Sequence, residues 1–308
     1  MGVIQEDGHC GQLCRCRGCY MGRLLTTFIT EPDNSSSAVF VAIVLLLLTI
    51  RYEVVKNHSW RLPEQKHILF MGAAHIVHGI DDSMLEEAIN VVSPSERYMY
   101  TYIKLKNIIA ENPQVDTVFM ELAATDLWED TDYKYHTPNE QSHYVKNYWP
   151  LFDEDNWRVF KNEPFQVMGV VVSSITSLRE TGQTSWWKGL GGYELKKSVI
   201  DPNKKLELKN YVPNSGHAVN YEYLHRIIGL CMSNGIKLYF LDAPVYRIED
   251  IYDVVYFQEA YERNFSEIEF LDYSEWSIPM DERGDGSHLN DKGAKRFTNE
   301  IKNRFNLK

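Results

Sequence analysis

The stretch "HILFMGAAHIVHGID", His67 to Asp81, decides the fold class. Its opening residues form a short unbroken apolar run, the pattern of a parallel strand buried on both faces. Gly72 then marks a turn. A strand running into a Gly-containing turn is where many α/β enzymes place a nucleophile. Here the two residues after Gly72 are Ala73 and Ala74, whose methyl groups carry no chemistry. Two histidines, His75 and His78, follow at once. The stretch reads as a site with bases and no nucleophile.

The same rhythm continues on both sides of the next turns. "DDSMLEEAI" is expected to be helical, with Asp81 or Asp82 as N-cap. "INVVS" (89–93) reads as a second strand. "ERYMYTYIKLKNIIAEN" (96–112) carries a helical apolar stripe and stops at Asn112-Pro113. "DTVFMEL" (116–122) is a third strand, "IKLYFLDAP" (236–244) a fourth and "IEFLDY" (268–273) a fifth. Helices are expected at "NYEYLHRIIGLCMSNG" (220–235), ended by Gly235, and at "NDKGAKRFTNEIKNRF" (290–305). Strands alternating with helices imply βαβ units and right-handed crossovers. The expected fold is therefore α/β, a three-layer α/β/α flavodoxin-like domain with a five-stranded parallel sheet, over residues 60–308.

Residues 130–219 break the rhythm. They are rich in aromatics (Tyr148, Trp149, Trp157, Trp186, Trp187) and in loop signals such as "GLGGYE" and "VPNSG", with one helical piece, "PFQVMGVVVSSITSLRE". They read as an insertion over the C-terminal edge of the sheet, where open α/β sheets bind ligands. The insertion is either a lid or a segment whose tryptophans pack it onto the domain.

Upstream, "SAVFVAIVLLLLTIRYEVV" holds an uncharged apolar run from Ala38 to Ile50. As a helix that run covers about 20 Å, short of the ~30 Å hydrocarbon core. Extension through Tyr52 and Val55, with Arg51 snorkelling, closes much of the gap. The expectation is an uncleaved single-pass anchor over residues 37–55. A signal-peptide core and a buried core helix are the other readings. Basic residues flank the run on both sides, so the positive-inside rule gives no orientation. Residues 1–36 are expected to be a disordered tail. Four of the five cysteines sit there in "CGQLCRCRGC" (Cys10 to Cys19), a spacing that fits no zinc module well.

A formal net charge of −11 argues against a general nucleic-acid binder, because phosphate-backbone binding needs a basic surface. The strongest chemical signal is "DGSHLNDKGAKRF", Asp285 to Phe297. A carboxylate three residues before a histidine can orient the imidazole and stabilise its charged form.

At these residues the chain resembles the SGNH/GDSL hydrolase superfamily, particularly its membrane-anchored branches acting on acylated cell-envelope polymers. The resemblance rests on "ILFMGAAHIVHGID", "INVVSPS", "FMELAATD" and "DGSHLNDKGAKRF", with support from "YLHRIIGLCMSNGIKLYFLDAPVY". It implies that His288 is the general base and Asp285 its orienting acid. His75 matches the histidine often found after the nucleophile, in a block opened by Gly72. The nucleophile position is Ala74. In the third block Ala123 stands for Gly and Thr125 for the oxyanion-donating Asn, followed by Asp126. The second-block oxyanion Gly has no clear match, and Ser93 lies nearest. Tyr246, after the fourth strand, is placed to line the site mouth.

Three readings follow. The first is a nucleophile-deficient domain that binds an acylated glycan, another cell-envelope polymer or a partner, anchored in the membrane with the folded domain outside the cytoplasm. The second is an active esterase or O-acyltransferase on acylated polysaccharide, in which Ser93, Ser95 or Thr125 replaces the lost nucleophile or His288 activates water. The third is a metal site of His75, His78, Asp285 and His288, with Glu121 as a further ligand. The first two need no cofactor.

Overall fold

The computed structural model describes residues 34–123, 142–176, 191–201, 221–244 and 254–308. The chain divides into two units, residues 1–50 and 51–308. Helix α1 (Asn34–Lys56) begins in the first and ends in the second. Its segment Ser37–Lys56 is long and apolar enough to cross a membrane.

The second unit is an α/β fold. Strands β1 (Ile68–Met71), β2 (Ala88–Asn90), β3 (Thr117–Glu121), β4 (Lys237–Asp242) and β5 (Glu269–Asp272) form one sheet in the order β2-β1-β3-β4-β5. Every pairing is parallel. Four of the apolar runs anticipated from the sequence are these strands trimmed at their ends, whereas β2 starts earlier than expected, at Ala88–Asn90 in place of 89–93. Successive side chains point to opposite faces. Phe70, Phe119 and Tyr239 share one face, stacking at ring centroid distances of 4.9 and 5.0 Å. They join Phe297 and Ile301 of α9 (Asp291–Phe305) in one core. Leu69, Val118, Leu238 and Phe240 point the other way and are equally buried. On that side α3 (Tyr98–Glu111) packs against α7 (Glu222–Ser233).

Two segments differ from the sequence reading. "DDSMLEEAI" forms only a 3-10 turn at Asp82–Met84. Asp81 caps that turn, as expected, with Oδ1 accepting from Ser83 N at 3.2 Å, while Asp82 Oδ2 accepts from Asn90 N in β2 at 3.0 Å, and the chain enters β2 at Ala88 before a longer helix can form. The helix lies earlier, as α2 (Ala74–Gly79) directly after the Gly72 turn. Tertiary bonds hold it, since Asn90 Nδ2 donates to the carbonyls of Ile76 (3.1 Å) and Ile80 (3.0 Å). Helix α8 (Val254–Asn264), between β4 and β5, was also not anticipated.

The insertion contributes α4 (Ser142–Tyr148), α5 (Glu154–Val159) and α6 (Pro164–Ser173). Helix α4 packs on α3 and on α6. Tyr148 is buried and donates to Glu96 Oε1 at 3.1 Å. Trp157 meets Phe152 edge-on at 5.1 Å. Trp186 and Trp187 lie outside the described residues, as does the Cys10–Cys19 cluster.

Arg51 does not snorkel. Its side chain is fully buried, with Nη2 donating to Asn147 Oδ1 at 2.7 Å and to the Lys146 carbonyl at 3.2 Å, both on α4. Trp60 is buried as well, and its carbonyl accepts from Asn112 Nδ2 at 2.7 Å. The folded unit therefore takes in the last turn of α1 and begins earlier in the chain than the strand pattern implies.

Candidate active site at the C-terminal edge of the sheet

The site is assembled from the end of β1, the end of β3 and the loop before α9. Each is fixed by its local chemistry. Gly72 has φ of +144°, and a Cβ there would lie 2.2 Å from Glu121 Cβ and 2.7 Å from Glu121 Oε2. Only glycine allows the β1 turn to close against β3 in this way. The closure puts the start of α2, Ala73 and Ala74, at the edge of the sheet, both partly exposed.

Glu121 organises this turn from β3. Its Oε1 lies 2.7 Å from His75 Nδ1, and its Oε2 accepts the Ala73 amide at 2.5 Å. The carboxylate is 2% exposed. Burial alone would raise its pKa, but His75 and the amides of Ala73 and Ile76 outweigh burial and hold it below the ordinary range.

The loop before α9 carries the second pair. His288 Nδ1 lies 3.0 and 3.1 Å from the two Asp285 oxygens. Asp285 Oδ1 also accepts the amides of Ser287 (2.8 Å) and His288 (2.9 Å), closing the loop into a tight turn. Asn290, two residues on, caps α9 by accepting from the amides of Lys292 and Gly293, both at 3.1 Å. The Asp-x-x-His-x-Asn spacing thus brings together a carboxylate, the imidazole it contacts and a helix cap in one turn.

The two pairs face each other. The His75 and His288 ring centroids are 5.6 Å apart, and His78 meets His288 edge-on at 4.9 Å. The His288 pKa is lowered mainly by burial, with His75 and His78 adding to the effect and Asp285 opposing it. His288 is therefore neutral and available as a base near pH 7, oriented through Nδ1.

Part of the insertion lies over this edge. Residues 191–201 dock on the ends of β2 and α2, with Gly192 N donating to the Val92 carbonyl (3.0 Å) and Glu194 N to the Val77 carbonyl (3.1 Å). His78 Nδ1 lies 2.9 Å from the Glu194 carbonyl. Lys196 reaches the site itself, its Nζ 2.6 Å from Asp285 Oδ2. Burial opposes the shift, but the Lys196 ammonium, the Ser287 amide and His288 carry the Asp285 pKa well below the usual carboxylate range. Ser198 Oγ donates to the Gly284 carbonyl at 2.9 Å, and Ile200 N to the Arg283 carbonyl at 2.9 Å.

The structure thus brings together Gly72, Ala74, His75, His78, Asp285 and His288. Ser93 has a different setting. It is buried, and its hydroxyl accepts from Lys104 Nζ at 3.3 Å. Lys104 also donates to Glu96 Oε2 (2.6 Å) and the Val91 carbonyl (2.7 Å). A hydroxyl engaged by a buried ammonium is part of a structural network, which argues against Ser93 as a nucleophile. Ser95 is exposed with φ of +60°. Thr125, Asp126 and Tyr246 lie outside the described residues. Among the described residues no group of three or more His, Cys, Asp or Glu is arranged to hold a metal ion, so the metal reading lacks a donor set.

Two residues carry roles that the sequence reading missed. Glu121 entered it only as a further metal ligand. A carboxylate inside the otherwise apolar "TVFME" is the signal, because a buried charge needs partners. Lys196 has no local signal, since its partner is far away in the chain.

No family model matches the chain, and no curated protein matches it. One solved structure is similar, a protein from Streptococcus pneumonia described as a "putative platelet activating factor". The likeness covers 88% of this chain and 99% of that one, at 11% identity and a TM-score of 0.38. At that score it carries no argument about the site, and the parallel α/β architecture stands on the sheet itself.

Proposed function

We propose that this chain is a membrane-anchored, SGNH-hydrolase-like protein whose site binds an acylated cell-envelope glycan, or a partner, without cleaving it through an acyl-enzyme. The observation that carries the reading is the Asp285–His288 pair beside a turn whose nucleophile position is Ala74. A triad enzyme stripped of its nucleophile keeps about 10³-fold catalysis over water at most. Replacement of an oxyanion donor, as at Thr125, costs roughly another 10². The apolar helix α1 supports the anchor. The resemblance and the anchor together suggest the acylated glycan, and the same resemblance suggests a folded domain outside the cytoplasm.

A second reading has its own support. His288 is held neutral and oriented, which is what a base activating water for ester hydrolysis needs.

The full chain, purified in detergent, is assayed with p-nitrophenyl acetate as the natural sequence, as His288→Ala and as Ala74→Ser. The expected result is background activity for the first two and a gain for Ala74→Ser that disappears when His288→Ala is added. Hydrolysis by the natural sequence that His288→Ala abolishes would overturn the non-cleaving reading in favour of activated water.

A further inference from the structure

Helix α6 (Pro164–Ser173) is apolar on both of its faces. Val167, Val170 and Val171 are buried against the domain. The opposite stripe is Phe165, Met168, Gly169 and Val172, at the i, i+3, i+4, i+7 spacing of one helix face. Phe165 is 91% exposed and Met168 51%. No charged residue occurs from Pro164 to Thr176. A helix that is hydrophobic all round belongs in a large core or in lipid, and this one is covered on one side only. At ten residues, about 15 Å, it is too short to span a bilayer and has the length of an interfacial segment.

Its surroundings say what covers the other side. The last turn of α1 is built into the folded unit at α4, through buried Arg51 and its bond to Asn147 Oδ1. Helix α4 is also the element on which α6 packs. Trp149, directly after α4, links the two. Its ring lies 6.1 Å from that of Tyr52 on α1, and its Nε1 donates to Ser174 Oγ, at the end of α6, at 3.1 Å. Tyr and Trp side chains are enriched where a span meets the headgroups. A span that ends at Ile50 keeps Asn34–Ile50 of α1, about 25 Å, for the bilayer, and it brings α6 to the membrane surface with Phe165 and Met168 left exposed by the described residues.

We infer that the Phe165–Met168–Val172 face of α6 lies in the headgroup–acyl boundary of the bilayer that α1 crosses, so that the domain is held flush on the membrane by two contacts. This rests on the reading of α1 as a span. A second contact fixes the height and tilt of the sheet edge, and with them the distance from the membrane at which His288 meets its ligand.

The test uses the full chain with Cys10, Cys14, Cys16 and Cys19 changed to Ser, reconstituted in phosphatidylcholine vesicles. Cys231 is buried and stays. Phe165→Cys, Met168→Cys and, as control, Glu300→Cys are labelled with the fluorophore NBD. Glu300 is half-buried on α9, in the opposite layer of the fold, and its probe reports a site away from α6. The expected result is blue-shifted emission at 165 and 168, with at least three-fold stronger quenching by 5-doxyl lipid than at 300. Quenching at 165 and 168 no greater than at 300 overturns the inference. Shielding of these probes from iodide without lipid quenching also overturns it and points to a second copy on this face. A chain that does not float with the vesicles at all overturns the span reading, and this inference with it.

Discussion

Glu121 binds the first turn of the site at both of its oxygens, 2.7 Å from His75 Nδ1 and 2.5 Å from the Ala73 amide. The carboxylate therefore holds a side chain and the backbone on either side of Ala74. In the proposed reading this is the turn that would present a nucleophile, and its shape is kept with Ala74 at that place. That geometry is why restoring a hydroxyl at Ala74 is a meaningful test.

The approach of β3 to this turn depends on Gly72. Gly72→Ala puts a methyl group where Glu121 already sits and forces a residue with a Cβ to φ of +144°. Conformational strain alone costs about 1–3 kcal/mol, and the clash adds to it. Gly229→Ala in α7 meets nothing within 4 Å and should gain up to ~1 kcal/mol from helix propensity. Thermal unfolding followed by circular dichroism should lower Tm for the first variant and leave it equal or raised for the second. A Gly72→Ala protein with unchanged Tm would contradict the close approach.

Lys104 and Glu96 form a buried ion pair 2.6 Å long that also grips Ser93 and Val91, with both side chains almost fully buried. Lys104→Met strands the Glu96 carboxylate and should destabilise by about 3–5 kcal/mol. Adding Glu96→Gln removes the stranded charge. The double variant should recover a large part of that loss, which chemical denaturation can read as a non-additive cycle. Additive losses would mean that the two side chains do not act as a pair.

The His288 pKa lies below its ordinary 6.5, chiefly through burial. The unfolded chain then binds the proton at a higher pH than the native one. Stability supplied by neutral His288 is complete above pH 6.5 and declines as pH falls below it. Asp285 acts with the opposite charge and a depressed pKa. Its contribution is complete above the ordinary carboxylate range, declines as pH falls below that range and is gone once pH has passed its lowered folded value. An NMR titration of the His288 ring should give a midpoint below 6.5. Lys196→Met removes a cation 2.6 Å from the Asp285 carboxylate and should move that midpoint upward. A midpoint that does not move would show that Lys196 leaves the base untouched.

Asn290 caps α9 and also donates through Nδ2 to the Asp281 carbonyl at 2.8 Å. Asn290→Ala should cost about 1–2 kcal/mol, with Asn290→Ser retaining part of the cap. Because His288 lies two residues earlier, hydrogen exchange in residues 283–290 should rise in the Ala variant before the sheet is affected. Unchanged protection there would separate the cap from the base.

The sequence by itself determined the sheet and half of the site. Five apolar runs separated by helical stripes admit a parallel α/β fold, because only strands buried on both faces lack polar alternation. Asp285 and His288 were legible because three residues in one turn suffice to bring a carboxylate to an imidazole. The tertiary structure decided the rest. Short α2 is held by Asn90, which no window of local sequence can supply. The partnership of Glu121 with His75 follows from the β1–β3 pairing, which sets residues distant in the chain side by side. Lys196 meets Asp285 only because residues 191–201 are pinned by backbone bonds to Val92, Val77 and Arg283. Arg51, read as a snorkelling charge, is buried against α4, where Asn147 Oδ1 and the Lys146 carbonyl both accept from its Nη2. Local pattern fixes which segments become strands and helices. Contacts between distant segments fix which charges end up together, and the chemistry of this site depends on those contacts.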